Sequence, residues 1–227
     1  MCCQKLFLRI LIYAIGLLCL AFGVAFGINA KLGIPPVNSI PYVLSLVTKV
    51  DMGICIILIF SGYILLQYII LRKNFKWINL TQLVFSSLFG YFVDFARHVL
   101  GGFEIPTYAG KLAMLAISIV LYAIGVSMYV DTKLVNMPME GLVAAITSVL
   151  PGKSFQQVKV VLDCTVVFVA AALSLLAMGG LHGVREGTAL CALLVGPLMQ
   201  PAQRILNPVI NKICFERKKG DAQNPAA

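Results

Sequence analysis

Six apolar stretches dominate this chain, at residues 6–28, 52–71, 79–99, 111–130, 158–178 and 186–205. A membrane-spanning helix needs about 17–25 predominantly apolar residues, and each stretch is long enough. Hydrophobic residues make up 60% of the chain and charged residues 12%, whereas a soluble domain has about 25% charged residues. The chain therefore has too little polar surface for a water-soluble body. The sequence predicts an all-α polytopic membrane protein with six transmembrane helices.

The chain also contains an internal repeat. The residues that recur at the same spacing are Gly23, Lys31 and Pro36 in the first half and Gly125, Lys133 and Pro138 in the second. Gly90 and Gly196 match later in the two halves. Each half, about residues 6–100 and 108–205, has the order long helix, short helix, long helix, long helix, and so crosses the membrane three times. Because three is odd, the second half enters from the opposite face. We predict two inverted three-helix repeats related by a pseudo-twofold axis in the membrane plane.

Each half carries one apolar stretch that is too short to span, at residues 38–50 and 139–150. A dozen helical residues cover roughly 18 Å of a hydrocarbon core that is about 30 Å thick. Pro36 and Pro138 mark the helix starts, because proline suits the first helical turn. Two geometries are open: a re-entrant helix that starts near the midplane, or an amphipathic helix that lies at the interface. The segments 31–36 and 133–138 contain more Pro and Gly than a surface helix needs, which favours re-entry.

Re-entry would bring both short-helix N-termini to the membrane centre from opposite sides. Their unpaired N–H groups and partial positive charge suit an anion or a carbonyl-rich solute. The candidate binding residues are Lys31, Pro36, Asn38, Ser39, Lys133, Asn136, Pro138 and Glu140. Glu140 either compensates the dipole of its own helix or accepts a proton or a cationic solute. The two lysines form either an anion-attracting vestibule on each side or independent contacts with lipid headgroups.

Other residues within or beside the spans form a second candidate group: Asp94, Asp163, Arg185, Glu186 and Thr188. A carboxylate costs at least about 2.5 kcal/mol at the bilayer centre and little near the headgroups. Lys159 lies four residues before Asp163, so a local ion pair is favoured there. Arg97 lies three residues after Asp94 and offers it the same partner. Glu186 is expected to pair with Arg185 or to cap the sixth helix.

Catalytic patterns are missing from the sequence. The two histidines, His98 and His182, fall at the ends of spans without the spacing of a metal site, and no ATP-binding motif is visible. We therefore expect no enzyme activity, no cofactor and no metal site. The net charge of +9 is attributed to membrane topology and to anionic lipid, not to nucleic acid.

The distribution of basic residues predicts the orientation. Of the 18 Lys and Arg residues, only five fall on the predicted outer side: Lys31, Lys49, Arg97, Lys111 and Arg185. The positive-inside rule then places both termini in the cytoplasm. Residues 1–205 are expected to form one transmembrane domain, followed by a basic, partly disordered cytoplasmic tail at 206–227.

Gly23 and Gly27 form a small-xxx-small pattern in the first span. Residues without bulky side chains let two helix backbones approach closely in lipid. We therefore expect the first helix to pack tightly against another helix along this face.

Residues 132–142, 183–188 and 194–196 resemble the YczE/YyaS/YitT-like family of bacterial membrane proteins. The Pro138-x-Glu140-Gly141 segment and the Gly187-Thr188 pair are its more specific parts. The resemblance extends over about residues 6–205. The soluble C-terminal domain of the YitT branch has no counterpart here, so the chain is similar to the shorter YczE-type branch. This resemblance implies a multi-pass protein of the bacterial plasma membrane and supplies no established substrate.

Three functional classes are compatible with the sequence. The inverted repeat favours a secondary transporter of a small polar solute, with a slight preference for an anion and with a proton on Glu140 as a coupling device. A non-transporting partner protein would use residues 72–76 and 212–219 as docking surfaces, and a channel is the third class. The expected partners are membrane lipid and a small solute, with homo-oligomerisation left open.

Overall fold

The protein is all-helical in the computed structural model, which describes residues 2–150 and 152–214. These residues form eight α-helices: α1 (Cys2–Ala30), α2 (Pro36–Thr48), α3 (Met52–Leu71), α4 (Thr81–Leu100), α5 (Tyr108–Asp131), α6 (Pro138–Val149), α7 (Phe155–Met178) and α8 (Glu186–Cys214). Two 3-10 turns, Arg72–Asn74 and Trp77–Leu80, connect α3 to α4. The described residues contain no strand, and the all-α prediction is confirmed.

Among the described residues, five helices are long and apolar enough to cross a membrane: α1, α3, α4, α5 and α7. Helix α8 is a sixth candidate if its two arms, Glu186–Met199 and Pro201–Lys212, count as one span. The arms are bent by 45° relative to each other, next to Pro201. Proline removes a backbone hydrogen bond and clashes with the preceding turn, which explains the bend. The described residues thus contain five to six candidate spans, and the span that we predicted at residues 186–205 is bent.

Helix α8 also continues beyond the predicted end of the membrane domain. Residues 206–214, where we expected the tail to begin, are helical, and Ile210 and Cys214 are buried against the bundle. Burial of these side chains supports the extra turns of helix. The rest of the predicted tail, residues 215–227, lies outside the described residues.

The two short helices form close to the predicted positions, and their starts are buried. Both begin with proline, α2 at Pro36 and α6 at Pro138. The buried residues in their first turns include Asn38 and Ser39 of α2 and Met139 of α6. Helix α2 packs against α7 and α3, and α6 packs against α3 and α7. Both helix starts therefore lie within the bundle and not on its surface.

Helices α1 and α5 form the centre of the bundle and pack along their length. A Cβ atom at Gly23 would lie 2.9 Å from the backbone nitrogen of Tyr122. The hydroxyl of Ser118 donates a hydrogen bond of 2.6 Å to the carbonyl of Gly23. At Gly27 a Cβ would lie 2.9 Å from the same hydroxyl. The predicted close packing at the small-xxx-small pattern is confirmed.

The remaining helices are arranged around this pair. Helix α4 packs against α1 and α3, while α8 packs against α5. Helices α3 and α4 lie side by side, whereas α7 and α8 make almost no contact within the described part of the chain. A cavity lies between α7 and α8.

Asp94 stabilises the start of α3 from the neighbouring helix α4. Its Oδ1 atom accepts a hydrogen bond of 2.8 Å from the backbone N–H of Gly53. The first N–H groups of a helix have no intrahelical acceptor, so a carboxylate at this point is favourable. This interhelical cap replaces the ion pair with Arg97 that we expected. The sequence prediction missed it because local spacing cannot identify a partner on another helix.

Candidate functional site

The connections that precede the two short helices have the same backbone turn. Lys31 and Lys133 adopt left-handed conformations, with φ of 56° and 52°, which is uncommon for residues other than glycine. The N–H of Lys31 donates to the carbonyl of Ile28 at 3.1 Å, and that of Lys133 donates to Val130 at 3.0 Å. Each long helix thus ends and turns toward its short helix in an equivalent way.

The first connection is held by residues 183–188. Three hydrogen bonds join the segments: Gly187 N–H to the Leu32 carbonyl at 2.7 Å, Ile34 N–H to the Gly183 carbonyl at 3.3 Å, and the Arg185 guanidinium to the Lys31 carbonyl at 3.2 Å. Backbone groups of an irregular segment in lipid need such partners. The role of Arg185 here is to fix the first connection.

Thr188 packs against the same connection. Its side chain is buried, and its hydroxyl donates a hydrogen bond of 3.3 Å to the carbonyl of Gly183. Gly33, with φ of 121°, gives this side chain its space, since a Cβ at position 33 would lie 2.6 Å from Oγ1 of Thr188. The Gly-Thr segment is therefore part of the support for α2.

The second connection is held by α1. The guanidinium of Arg9 donates to the carbonyls of Thr132 at 2.8 Å and Lys133 at 2.9 Å. The hydroxyl of Tyr13 donates to the carbonyl of Val135 at 3.2 Å. From the sequence we assigned Arg9 only to membrane topology and missed this contact. The available signal was an arginine within an apolar helix, which needs a polar partner.

A pair of buried glutamines supports the start of α6. The amide nitrogen of Gln67 donates to the carbonyl of Pro138 at 2.9 Å and to Oε1 of Gln82 at 3.1 Å. Gln82 donates back to Oε1 of Gln67 at 3.4 Å. Gly141 leaves room for this pair, because a Cβ there would lie 2.8 Å from Gln67 Oε1. We did not predict either glutamine from the sequence, although polar amides within apolar spans usually have such partners.

Replacement of Gln67 by Leu should destabilise the protein by about 2 kcal/mol, because the buried amide of Gln82 and the carbonyl of Pro138 would lose their partner. The Gln67→Leu, Gln82→Leu double variant should be more stable than the single variant, since removal of both amides leaves fewer unpaired groups. Thermal unfolding in detergent measures both effects. If the double variant loses as much stability as the single variant, or more, the proposed role of the glutamine pair is contradicted.

A cavity of about 350 Å³ lies between α7 and α8, and we call it the α7–α8 cavity. Its apolar wall comes mainly from α5, α7 and α8. The start of α2 contributes Pro35, Pro36 and Val37, and the polar side chains are few: Tyr122, Glu140, Lys159 and Asp163. A small apolar cavity with a few convergent polar groups is typical of a small-molecule site.

A second, much smaller inner cavity of about 10 Å³ shares Val37, Tyr122 and Glu140 with the first. Asn38 and Tyr129 also line it. Residues from the first turns of both short helices therefore contribute to one wall. The helix starts that we predicted to meet at the membrane centre do lie around a common space.

Asn38 and Glu140 have unsatisfied polar atoms in this space. Asn38 is 1% exposed, and neither of its amide atoms has a hydrogen-bond partner of good geometry among the described residues. The buried Oε2 atom of Glu140 is also without one. The phenol of Tyr122 lies next to Asn38 and that of Tyr129 next to Glu140. Buried polar groups are nearly always paired, so these exceptions indicate a place for a ligand or water.

Asn38 and Glu140 also occupy equivalent positions in the repeat, because the alignment that matches Pro36 with Pro138 matches them as well. The same position thus carries an amide in one half and a carboxylate in the other. Their shared location could be read from the repeat, but their proximity required the packing of α2 and α6.

Asp163 forms the expected pair with Lys159, at 3.3 Å between Oδ2 and Nζ. This prediction is confirmed. Its Oδ1 atom is buried and lacks a partner among the described residues, and both side chains line the α7–α8 cavity. In the part of the chain that the structure describes, no three His, Cys, Asp or Glu side chains are grouped to hold a metal ion.

The other predicted binding residues lie outside the two cavities. The hydroxyl of Ser39 donates to the Pro36 carbonyl at 2.6 Å, and the carbonyl of Pro138 accepts from Gln67. Lys133 and Asn136 are exposed. Lys31 forms an ion pair of 2.6 Å with Glu104.

Lys31 instead lines a peripheral cavity of about 390 Å³, together with His182 and Arg185. Glu186 pairs with Arg185 at 3.4 Å, as expected from their adjacent positions, and both are well exposed. The charged side chains of Arg185 and Glu186, at the N-terminal end of α8, therefore lie outside the α7–α8 cavity.

Comparison with known proteins places this arrangement in a family. Residues 7–204 match the family described as "Family of unknown function (DUF6198)". The chain is 32% identical over 198 residues to "Uncharacterized membrane protein YczE" of Bacillus subtilis (strain 168). The aligned residues make up 87% of this chain and 86% of that protein. No solved structure matches. The matched region includes α2, α6 and both cavities, so the chain belongs to the DUF6198 family and is a YczE-like membrane protein.

Proposed function

We propose that this protein is a secondary transporter of a small polar solute, which binds in the α7–α8 cavity. One observation carries the proposal: the equivalent residues Asn38 and Glu140, from the first turns of two buried short helices, place buried polar atoms around the inner cavity, which shares Val37, Tyr122 and Glu140 with the α7–α8 cavity. In transporters built from repeats, substrate sites lie at the repeat interface, where interrupted helices present their N-termini.

The inverted repeat is part of this proposal, and the helix packing supports it. If α1 to α4 correspond to α5 to α8 in order, the packing of α2 on α7 corresponds to that of α6 on α3. The contact of α1 with α4 likewise corresponds to that of α5 with α8. The matching turns at Lys31 and Lys133 agree with the same relation. Re-entry of α2 and α6 toward the midplane from opposite sides is part of the same proposal.

The two halves differ at one place that matters for access. Helices α3 and α4 pack closely, through Gly53 and Gly90, whereas the corresponding α7 and α8 are separated by the cavity. Gly196, the counterpart of Gly90, has no atom within 4 Å of its Cβ position and lines the cavity. Closure of α8 onto α7 would make the second half resemble the first and would enclose a bound solute. Such an exchange between two packings is the basis of alternating access.

The orientation belongs to the proposal as well. We place the N-terminus and the C-terminal end of α8 in the cytoplasm of a bacterial plasma membrane, because most Lys and Arg residues then lie inside. The peripheral cavity with Lys31 and Arg185 would face outward.

A transport assay with a mixture of solutes tests the proposal. Purified protein in liposomes with an imposed proton gradient is incubated with a defined mixture of amino acids, polyamines, organic acids and sugars, and the liposome contents are analysed by mass spectrometry. We expect at least one solute to accumulate with the wild type. Accumulation should fall by about tenfold or more with Glu140→Gln, because a buried charged hydrogen-bond acceptor is lost.

Asp51→Asn is the matched control, since it also removes one carboxylate, but from an exposed position before α3. It should transport like the wild type. Size-exclusion profiles confirm that all three proteins are folded. If no solute exceeds its level in protein-free liposomes, or if Glu140→Gln transports as well as Asp51→Asn, the proposed function is wrong.

A further inference from the structure

We infer that the solute is a zwitterion that carries both an ammonium and a carboxylate group, such as a free amino acid. This inference rests on the proposed function and deepens it, because it names the chemical class that the α7–α8 cavity would accept. It is carried by the unequal distribution of charge and of unpaired polar atoms around the cavity.

One side of the cavity is rich in hydrogen-bond acceptors. Oε2 of Glu140 and Oδ1 of Asp163 are buried and unpaired among the described residues, and both side chains line the cavity. A carboxylate oxygen accepts hydrogen bonds and cannot donate them. An ammonium group, with three donors and a positive charge, is the complement of such an oxygen. The phenol ring of Tyr122 also lines the cavity, and an aromatic ring is favourable beside a cation.

The start of α2 supplies the opposite polarity. Its first turn contains no acidic residue, and no side chain caps it, whereas the first turn of α6 contains Glu140. Helix N-termini carry a partial positive charge. Pro35 and Pro36 have no N–H, and the N–H of Asn38 donates to the Pro35 carbonyl at 3.0 Å, so Val37, which lines the cavity, is the first residue of α2 with an N–H to offer. The next residue, Asn38, is buried beside Tyr122 and lines the adjoining inner cavity, with amide donors of its own. Of the two short helices, α2 is the one whose start is left without a compensating anion.

Lys159 adds a full positive charge to the same cavity. It is paired with Asp163 through one oxygen, at 3.3 Å, and its side chain is 34% exposed, so it can contact a second anion. The charged wall thus consists of two carboxylates, one ammonium and the positive end of α2. A solute with only a negative charge would face the two carboxylates, and one with only a positive charge would leave Lys159 and the α2 terminus unused.

Binding to purified protein in detergent tests this inference. The probes are glycine, L-valine, L-leucine and L-phenylalanine, each compared with its amide, which lacks the carboxylate, and with its deaminated acid, which lacks the ammonium. Dissociation constants come from the concentration dependence of the thermal midpoint. We expect at least one amino acid to bind about tenfold or more tightly than both of its analogues, because each loses one charged hydrogen-bonding group.

Two variants should fail in opposite ways. With Glu140→Gln, the amino acid should lose its advantage over the deaminated acid, since the ammonium partner is weakened. With Lys159→Gln, the amide should bind at least as well as the amino acid, because the carboxylate would then face Asp163 without its neutralising partner. Asp51→Asn should retain the wild-type order. If no amino acid binds, or if a single-charge analogue binds the wild type equally well, the inference is wrong.

The liposome experiment separates this failure from failure of the proposed function. If only solutes with one charge or none accumulate, the inference of a zwitterionic solute is wrong and the proposed transport function still holds. Absence of any accumulated solute would reject both.

Discussion

Substitution of Gly33 by alanine should prevent α2 from docking and should destabilise the protein by about 3 kcal/mol or more. Gly33 has φ of 121°, which side-chain-bearing residues rarely adopt. A Cβ there would also lie 2.7 Å from the backbone nitrogen of Thr188 and 2.6 Å from its Oγ1. Backbone strain and overpacking each cost about 1–3 kcal/mol. The thermal midpoint in detergent measures the loss.

Gly62→Ala is the control for this substitution. Gly62 lies in the middle of α3, and a Cβ at that position would meet no atom within 4 Å. Alanine is the better helix former, so the control should be as stable as the wild type or slightly more stable. Equal midpoints for Gly33→Ala and Gly62→Ala would show that the contact between residues 31–34 and 183–188 is not needed.

Substitution of Gly125 by alanine should separate α1 from α5 and also destabilise the protein by roughly 3 kcal/mol. A Cβ at Gly125 would lie 2.7 Å from the carbonyl oxygen of Gly16 and 2.7 Å from the backbone nitrogen of Leu20. Backbone atoms cannot move aside by changing rotamer, so the two helices must move apart, and overpacking of this kind costs about 1–3 kcal/mol or more. Helix contacts in lipid depend on such close packing.

The control lies on the same helix. Ala116 of α5 is exposed, so Ala116→Leu adds a larger side chain to a surface where lipid can accommodate it. It should unfold at the wild-type temperature, while Gly125→Ala unfolds earlier and yields less monodisperse protein. If Ala116→Leu destabilises the protein more than Gly125→Ala, the close contact with α1 does not lie on the Gly125 face of α5.

These two glycines have different relations to the sequence. The repeat identified Gly125 as the counterpart of Gly23, and the small-xxx-small pattern at Gly23 and Gly27 predicted tight packing. Gly33 was only one residue of an irregular segment. Its importance depends on Thr188, which is distant in the sequence, and on a hydrogen-bonded contact that no local pattern indicates.

The candidate site was predicted in part. The proline-initiated short helices, the candidate residues Asn38 and Glu140 in their first turns, and the Lys159–Asp163 pair follow from repeat spacing and helical periodicity. Arg9, Gln67 and Gln82 were missed, because each belongs to a contact with a group that is far away along the chain. Asp94 was assigned to Arg97 for the same reason: spacing finds partners on one helix but not on its neighbour.

By itself, the sequence determined the helical membrane architecture, the positions of the two short helices and the equivalence of the residues that recur in the two halves. These features depend on local rules, since lipid requires internally satisfied backbone and proline begins or ends a helix in a known way. Tertiary structure alone decided which carbonyls Arg9, Arg185 and Gln67 stabilise, why Gly33 must be glycine, and that α7 and α8 separate where α3 and α4 pack. The physical reason is that helices which meet in the bundle are brought together by the packing of their whole surfaces, and that packing is not encoded in the spacing of any single segment.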